Sequence, residues 1–347
     1  MNLLLAFAIA AGLSAALIPP ATRLASRWGM LDHPNNRKVH VAAIPRTGGW
    51  GIVVGAVVPL LYWSPLEPLR VSYLLGVLVL FGFGLWDDAS NLNHRLKFIG
   101  QIVAATAVVM WGDLYVTHLP FCAESPLPQW LARPFSVFAL VGVINAVNHS
   151  DGLDGLAGGE CLLSFGAIAA LLLPAVGAHH PMALLVCVTL GSTLAFLRYN
   201  RHPARVFMGD TGSQFLGFTL GVLTIYLTQR ADAGVTPSAA LLLMGMPIFD
   251  ILVTLALRIR CGMSWFAGSR NHLHHRLLDR GFSHYGAVGL LYGMQVLLVA
   301  AGYLLHSLPD GVLLASYGAL CGGALSALLM AERRGWIYSG RIAYHRA

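Results

Sequence analysis

Apolar runs separated by short polar segments fill the chain from end to end. They fall at 3–22, 48–63, 71–86, 98–112, 134–149, 160–178, 181–197, 214–229, 237–257, 285–306 and 312–331. None alternates polar and apolar residues as a membrane barrel strand would, and most approach the length needed to cross a bilayer as a helix. The pattern predicts an all-α polytopic membrane protein of about eleven transmembrane helices, a single integral-membrane domain over 1–347. Pro247 lies inside the ninth run and predicts a kink there, because proline removes a backbone donor. No internal repeat is visible, which argues against a transporter built from duplicated halves.

Composition agrees. Of the 347 residues, 56% are hydrophobic and 11% charged, against roughly a quarter charged in soluble domains. The first run begins at Leu3 with no basic stretch before it, so it reads as an uncleaved first helix rather than a secretory signal. Eleven spans place the loops alternately on two sides. Only Arg70, Arg133 and Arg230 fall on one side, and the other lysines and arginines fall on the opposite side. By the positive-inside rule that second side is cytoplasmic and the N-terminus periplasmic. The same rule accounts for most of the net charge of +7, so nucleic acid is not an expected partner. Five scattered cysteines without a CxxC pair indicate neither a zinc ribbon nor a disulfide framework.

With this parity, five polar segments share the cytoplasmic face. Asp87 and Asp88 end a span, with Lys97 about one short loop later. Adjacent carboxylates need a compensating cation, and a lysine can hold phosphate as a point charge. The pair reads as a general base, a metal ligand or both, against a solvated helix end. Asn145 and Asn148 share a helix face and run into Asp151-Gly-Leu-Asp154. These carboxylates are hard ligands suited to Mg²⁺, and the spacing lacks the closing glutamate of an EF-hand. Phe207-Met-Gly209-Asp210-Thr-Gly-Ser213 opens a span. Glycines and hydroxyls at a helix N-terminus suit phosphate, although a capping turn explains them nearly as well.

His272, His274 and His275 resemble a zinc cluster in number. Their spacing and the neighbouring Arg270, Arg276 and Arg280 favour a polyanion-binding loop instead. The loop from Asp32 to Gly49, with Arg37, Lys38, His40 and Arg46, reads as a clamp for a lipid phosphate, or more simply as a positive-inside loop near anionic lipid. Asp250 lies within an apolar run. An intramembrane acid is a functional candidate or a structural partner for an arginine, and the sequence assigns it neither role.

Taken together, these motifs resemble the polyprenyl-phosphate N-acetylhexosamine-1-phosphate transferases, from Asp32-His-Pro-Asn-Asn-Arg-Lys-Val-His40 to His272-Leu-His-His-Arg276. That family initiates cell-envelope polysaccharides, including O-antigen and wall teichoic acid, and contains the translocase that makes lipid I. The resemblance implies a multi-pass protein of the bacterial inner membrane. It would transfer a sugar-1-phosphate from a UDP-N-acetylhexosamine to undecaprenyl phosphate, with Mg²⁺ or Mn²⁺ as cofactor and UMP as product. It also implies a homodimer.

Carried over by position, Asp154 and Asp210 become the metal ligands and Asp87 and Asp88 the essential acidic pair. Lys97 becomes the diphosphate contact, and His272, His274, His275 and Arg276 the loop closing over the phosphates. Asn148 and Asp151 join this catalytic set. Phe207, Asn200 and Gly209 become nucleotide contacts, with Phe207 stacked on uracil. Arg37, Lys38 and His40 remain the lipid-phosphate candidates. The HxHHR pattern and the RKxH loop look like the GlcNAc-1-phosphate enzymes more than the lipid I translocase, with UDP-FucNAc, UDP-QuiNAc and UDP-GalNAc as alternative donors. Two departures, His149-Ser150 for an apolar pair and Gln214 for an apolar residue, bear on sugar preference.

Two other classes compete less well. An anion transporter predicts charges at the bilayer midplane. A prenyltransferase needs DDxxD spacing, and Ala-Ser-Asn follows Asp87-Asp88.

Overall fold

The computed structural model describes residues 2–34, 42–120, 125–263 and 272–333. Each of the eleven apolar runs falls on a helix. These are α1 (Leu3–Leu24), α2 (Gly48–Trp63), α3 (Pro68–Ser90), α4 (His94–Thr106), α5 (Gln129–Ser150), α6 (Leu156–Val176), α7 (Pro181–Asn200), α8 (Gly209–Thr228), α9 (Ala239–Arg260), α11 (His284–Leu305) and α12 (Asp310–Arg333). A short helix, α10 (Leu273–Leu278), lies between α9 and α11, and a π-helical turn (Ala107–Trp111) extends α4.

Among the described residues, eight helices are long and apolar enough to cross a membrane: α1, α3, α5, α6, α7, α9, α11 and α12. The chain is therefore an all-α, multi-pass membrane protein. The helix α2 is apolar but shorter. In α4 and α8 polar residues are drawn into the bundle instead.

The bundle is built around α8, which is buried continuously from Thr211 to Ile225 and packs against α2, α3, α5, α6 and α9. Without a hydrophobic drive between helices in lipid, close approach of small residues supplies the packing energy. Gly217 shows this: a Cβ there would stand 2.7 Å from Ile144 Cα of α5. Where α2 meets α8 the backbones nearly touch, since a Cβ on Gly49 would lie 2.3 Å from Gly212 N. Just before this crossing the strand pair β1 (Leu31–Asp32) and β2 (Ile44–Pro45) closes a hairpin. Its exit is tied to the entry of α8 by three backbone bonds: Phe207 N to Pro45 O at 2.8 Å, and Gly48 N to Phe207 O and Gly49 N to Met208 O, both 2.9 Å. The stretch from Pro45 to Gly49 is thus tied by its backbone to the turn that enters α8.

Several boundaries differ from the expected ones by a few residues, and those of α3, α8 and the break in α9 bear on the site. The helices α3 and α8 extend over polar residues at the same end of the bundle. Asp87 and Asp88 therefore lie in the last turn of α3, and Asp210 in the first turn of α8. The break in α9 falls at Gly245 (φ 47°, ψ −121°), two residues before Pro247. Proline disrupts the preceding turn, and only glycine takes that backbone angle readily. The amide freed at Met246 donates to Gln295 Oε1 of α11 at 2.7 Å.

Candidate active site

At one end of the bundle a cavity of about 800 Å³ gathers residues from nearly every polar segment. Its floor is a charge cluster. Lys97 Nζ lies 2.7 Å from Asp87 Oδ2 and 2.6 Å from Asp210 Oδ2, so one ammonium bridges two carboxylates. Asn148 Nδ2 donates to Asp210 Oδ1 at 3.1 Å and to Ser213 Oγ at 2.8 Å. The second carboxylate of the pair, Asp88, is committed elsewhere. It accepts the amides of Asp210 at 2.8 Å and Thr211 at 3.1 Å, and the Thr211 hydroxyl at 2.7 Å. These are orphan donors at the start of α8, so Asp88 caps that helix from α3. Adjacent in sequence, Asp87 and Asp88 do different things.

Carboxylate oxygens of Asp87, Asp88 and Asp210 come within 4.8 Å of one another. With Asp88 spent on N–H donors, Asp87 and Asp210 remain as hard-oxygen ligands of the kind Mg²⁺ or Mn²⁺ takes. The hard oxygens of this pair fit a divalent cation, and the Lys97 ammonium that now lies between them would have to stand aside for the ion.

Asp154 stands in a different group, with His202 and His284. Its Oδ2 is 2.7 Å from His202 Nδ1 and accepts Ala204 N at 3.0 Å. The His202 and His284 rings stack at 3.9 Å between centroids, 16° from parallel. Ring lone pairs lie in the ring planes. Parallel faces therefore aim them side by side rather than at a common ion. The two residues expected to share a metal, Asp154 and Asp210, thus line the same cavity within separate clusters.

Phe207, partly exposed, and Gly209 line the cavity as well. Asn200 does too, but its amide is engaged at both ends, accepting Gly155 N at 2.9 Å and donating to Val206 O at 2.9 Å. It fixes the turn at Gly155 (φ 81°) that opens α6.

Asp151 lines the cavity with no donor to its carboxylate among the described residues. Loss of water there, with Asp210 and Asp154 adding repulsion, pushes its pKa up to about 7. Desolvation disfavours the charged form of any acid.

The histidine segment divides. His275 lines the cavity. His272 and His274 are buried behind it, 6% and 3% exposed. His274 lies against Gly152, and burial, with His275 adding, lowers its pKa to about 3, leaving the ring neutral. Arg276 is not among the cavity residues; its amide closes the turn on His272 O at 3.0 Å. Arg37, Lys38 and His40 lie outside the described residues. His149 is not among the cavity residues; its Nδ1 stands 2.6 Å from Asn145 O and its ring 5.2 Å from that of His272.

Three cavity residues, Asn91, His202 and His284, carry no assignment from sequence, and Arg46 stands beside them as the described member of the basic loop read as a lipid-phosphate clamp. Arg46 pairs with Asp32 and donates to Asn91 Oδ1 at 3.0 Å. Its only signal is membership of the basic loop. His202 and His284 stand in polar segments on the cavity side, and nothing in sequence links them to Asp154.

Comparison with known proteins identifies the family. Residues 70–228 match the family described as glycosyl transferase family 4. The chain is similar to a probable undecaprenyl-phosphate N-acetylglucosaminyl 1-phosphate transferase of Bacillus subtilis, at 33% identity over 84% of this chain and 81% of the relative. It is similar to a decaprenyl-phosphate N-acetylglucosaminephosphotransferase of Mycobacterium tuberculosis, at 32% identity over 93% and 89%. A third relative is the undecaprenyl-phosphate alpha-N-acetylglucosaminyl 1-phosphate transferase of Escherichia coli K12, at 30% identity over 85% and 82%.

Proposed function

The chain belongs to glycosyl transferase family 4, among the polyprenyl-phosphate N-acetylhexosamine-1-phosphate transferases, and from that premise we propose that it transfers GlcNAc-1-phosphate from UDP-GlcNAc to undecaprenyl phosphate. An oxygen of the lipid phosphate attacks the sugar-bearing phosphorus. The bond from that phosphorus to the UMP oxygen breaks, and UMP leaves with the electron pair. The observation that carries this reading is the bridge of Lys97 between Asp87 and Asp210, on the floor of a cavity of about 800 Å³.

Phosphoryl transfer asks a protein mainly for positioning and for charge where negative charge gathers. Lys97 supplies a positive point charge at the floor. Arg46 and His275 add donors along the walls. Phe207 offers an aromatic face to the base, and Asp154, held by His202 and the Ala204 amide, lies on the same nucleotide side as Asn200. Asp87 and Asp210, with Asn148 orienting Asp210, would hold Mg²⁺ or Mn²⁺. That ion supplies charge neutralisation on the donor diphosphate when bound. Asp88 caps α8 and holds Asp210 in place. Asp87 is the acid of the pair left facing the cavity cation. The acceptor phosphate is largely ionised near neutral pH, its second pKa being about 6, so transfer does not require a base.

The cavity would face the cytoplasm of a bacterial inner membrane, where nucleotide sugars are made; the lysine and arginine bias of the loops supports that orientation. The test is transfer by purified protein in detergent with undecaprenyl phosphate, Mg²⁺ and radiolabelled UDP-GlcNAc. Label entering the lipid phase with release of UMP is the expected result. Transfer only from UDP-FucNAc, UDP-QuiNAc or UDP-GalNAc would keep the reaction and change the sugar. No transfer from any donor by folded protein would overturn the reading.

A further inference from the structure

Asp250 is an acid buried within α9, 5% exposed, beyond the break at Gly245. Both of its oxygens are directed at the histidine segment. Oδ2 meets His272 Nδ1 at 2.6 Å, and Oδ1 accepts the Leu273 amide at 2.6 Å. Thr254, one turn further along α9, stands 3.4 Å from the same His272 nitrogen. Leu273 is the first residue of α10, and His272 is its cap position. The carboxylate therefore does from another helix what a capping side chain does locally: it satisfies an orphan amide of the first turn. It also fixes the proton of His272 on Nδ1, as a carboxylate does for a ligand or catalytic histidine. Three residues after His272, and still in α10, His275 reaches the cavity wall.

We propose that Asp250 is a positioning residue that sets α10 and, through His272, the presentation of His275 to the substrate phosphates. This inference rests on the transfer reaction proposed above. It gives the intramembrane acid a role at a distance from the reacting atoms, and it explains why three clustered histidines place only one ring at the cavity. The other two are scaffold: His272 against Asp250, and His274 over Gly152.

Asp250→Asn separates this role from general stability. Asparagine keeps the volume and can accept the Leu273 amide. Its other end is an NH₂ group, which donates where the carboxylate accepted and so forces the opposite His272 tautomer. We expect kcat to fall by about 10–100-fold, the usual cost of losing such a supporting partner, with the thermal midpoint in detergent little changed. Asp250→Ala, His272→Ala and the double variant complete the cycle. If Asp250 acts through His272, the double variant loses no more than the worse single one.

Hydrogen–deuterium exchange provides a readout that does not need turnover. Asp250→Ala should speed exchange across 273–278 and leave α9 as in the wild type. Asn within two-fold of wild-type kcat, fully multiplicative losses in the double variant, or unchanged exchange across 273–278 would each overturn the proposal. An inactive wild type would overturn the transfer reading instead, and exchange would still decide the role of Asp250.

Discussion

The hydroxyl of Thr211 donates to Asp88 Oδ2 at 2.7 Å, so a carboxylate at the end of α3 is part of the start of α8. That contact is buried, with Asp88 3% and Thr211 0% exposed, and it is reinforced by the Asp210 and Thr211 amides. It divides the acidic pair into one residue that holds the floor together and one that faces the cation. Asp88→Ala should cost about 2 kcal/mol of stability by leaving buried donors without acceptors, and should lose activity with it. Asp87→Asn keeps the bond from Leu92 N and removes only the charge facing Lys97. It should lose activity with a thermal midpoint near wild type. Equal losses of midpoint in the two variants would contradict this division.

Lys97→Met should reduce transfer by about 100-fold, the scale seen when one preorganised charge or donor is removed from a reaction centre. Without the ammonium, Asp87 and Asp210 face each other and the donor diphosphate uncompensated. Lys97→Arg retains the charge, but a planar fork cannot sit as a point between two carboxylate oxygens, so it should recover only part of the rate. Steady-state kcat and KM for the sugar nucleotide would check both variants. A Lys97→Met rate near wild type would remove this lysine from the chemistry.

The helices are legible in sequence because a helix in lipid must be apolar along its length: each of the eleven runs falls on a helix, and eight of those helices are long and apolar enough to cross a membrane. Their polar ends are not. Asp87 and Asp210 look like loop residues in a hydropathy pattern, yet they complete helices because each end finds its partner on another helix. The convergence of the motifs is legible through loop parity alone. The partition of carboxylates is not: Asp154 meets His202 48 positions away, and Asp88 meets Thr211 123 positions away, and such pairings leave no local spacing. Asp250 stays ambiguous for the same reason, because its partner His272 lies beyond a loop. Asn200 carries a family role in sequence, whereas the fold shows its amide tying Gly155 to Val206.

Gly152 is a glycine for a reason that can be tested. A Cβ there would stand 2.0 Å from His274 Nε2 and 2.6 Å from its Cε1, inside any tolerated contact. Gly152→Ala should displace α10 and lower transfer. Adding His274→Ala removes the clashing ring, so the double variant should be more active than Gly152→Ala alone. A ring that only packs predicts this rescue. A ring that touches substrate predicts a double variant worse than either single one, and comparing the kcat values of the three variants separates the two outcomes.

Asp151 supplies the pH dependence. Its pKa in the folded protein is about 7, chiefly through desolvation, against about 3.9 in an unfolded chain. Between these values the folded state binds the proton that the unfolded state has released. Stability therefore falls as pH rises from about 4 and levels off above about 7. Asparagine carries no such penalty. Measured in chelator, so that no divalent ion offsets the charge, the thermal midpoint of Asp151→Asn should exceed that of wild type by more at pH 8 than at pH 5. The site is partly open to water, which screens the penalty, so the trend with pH is the decisive quantity. A difference between variant and wild type that stays constant across this range would show that Asp151 is already ionised at pH 5. The carboxylate would then have to be balanced by a cation of the cavity, with Arg46, already opposing the shift, as one source.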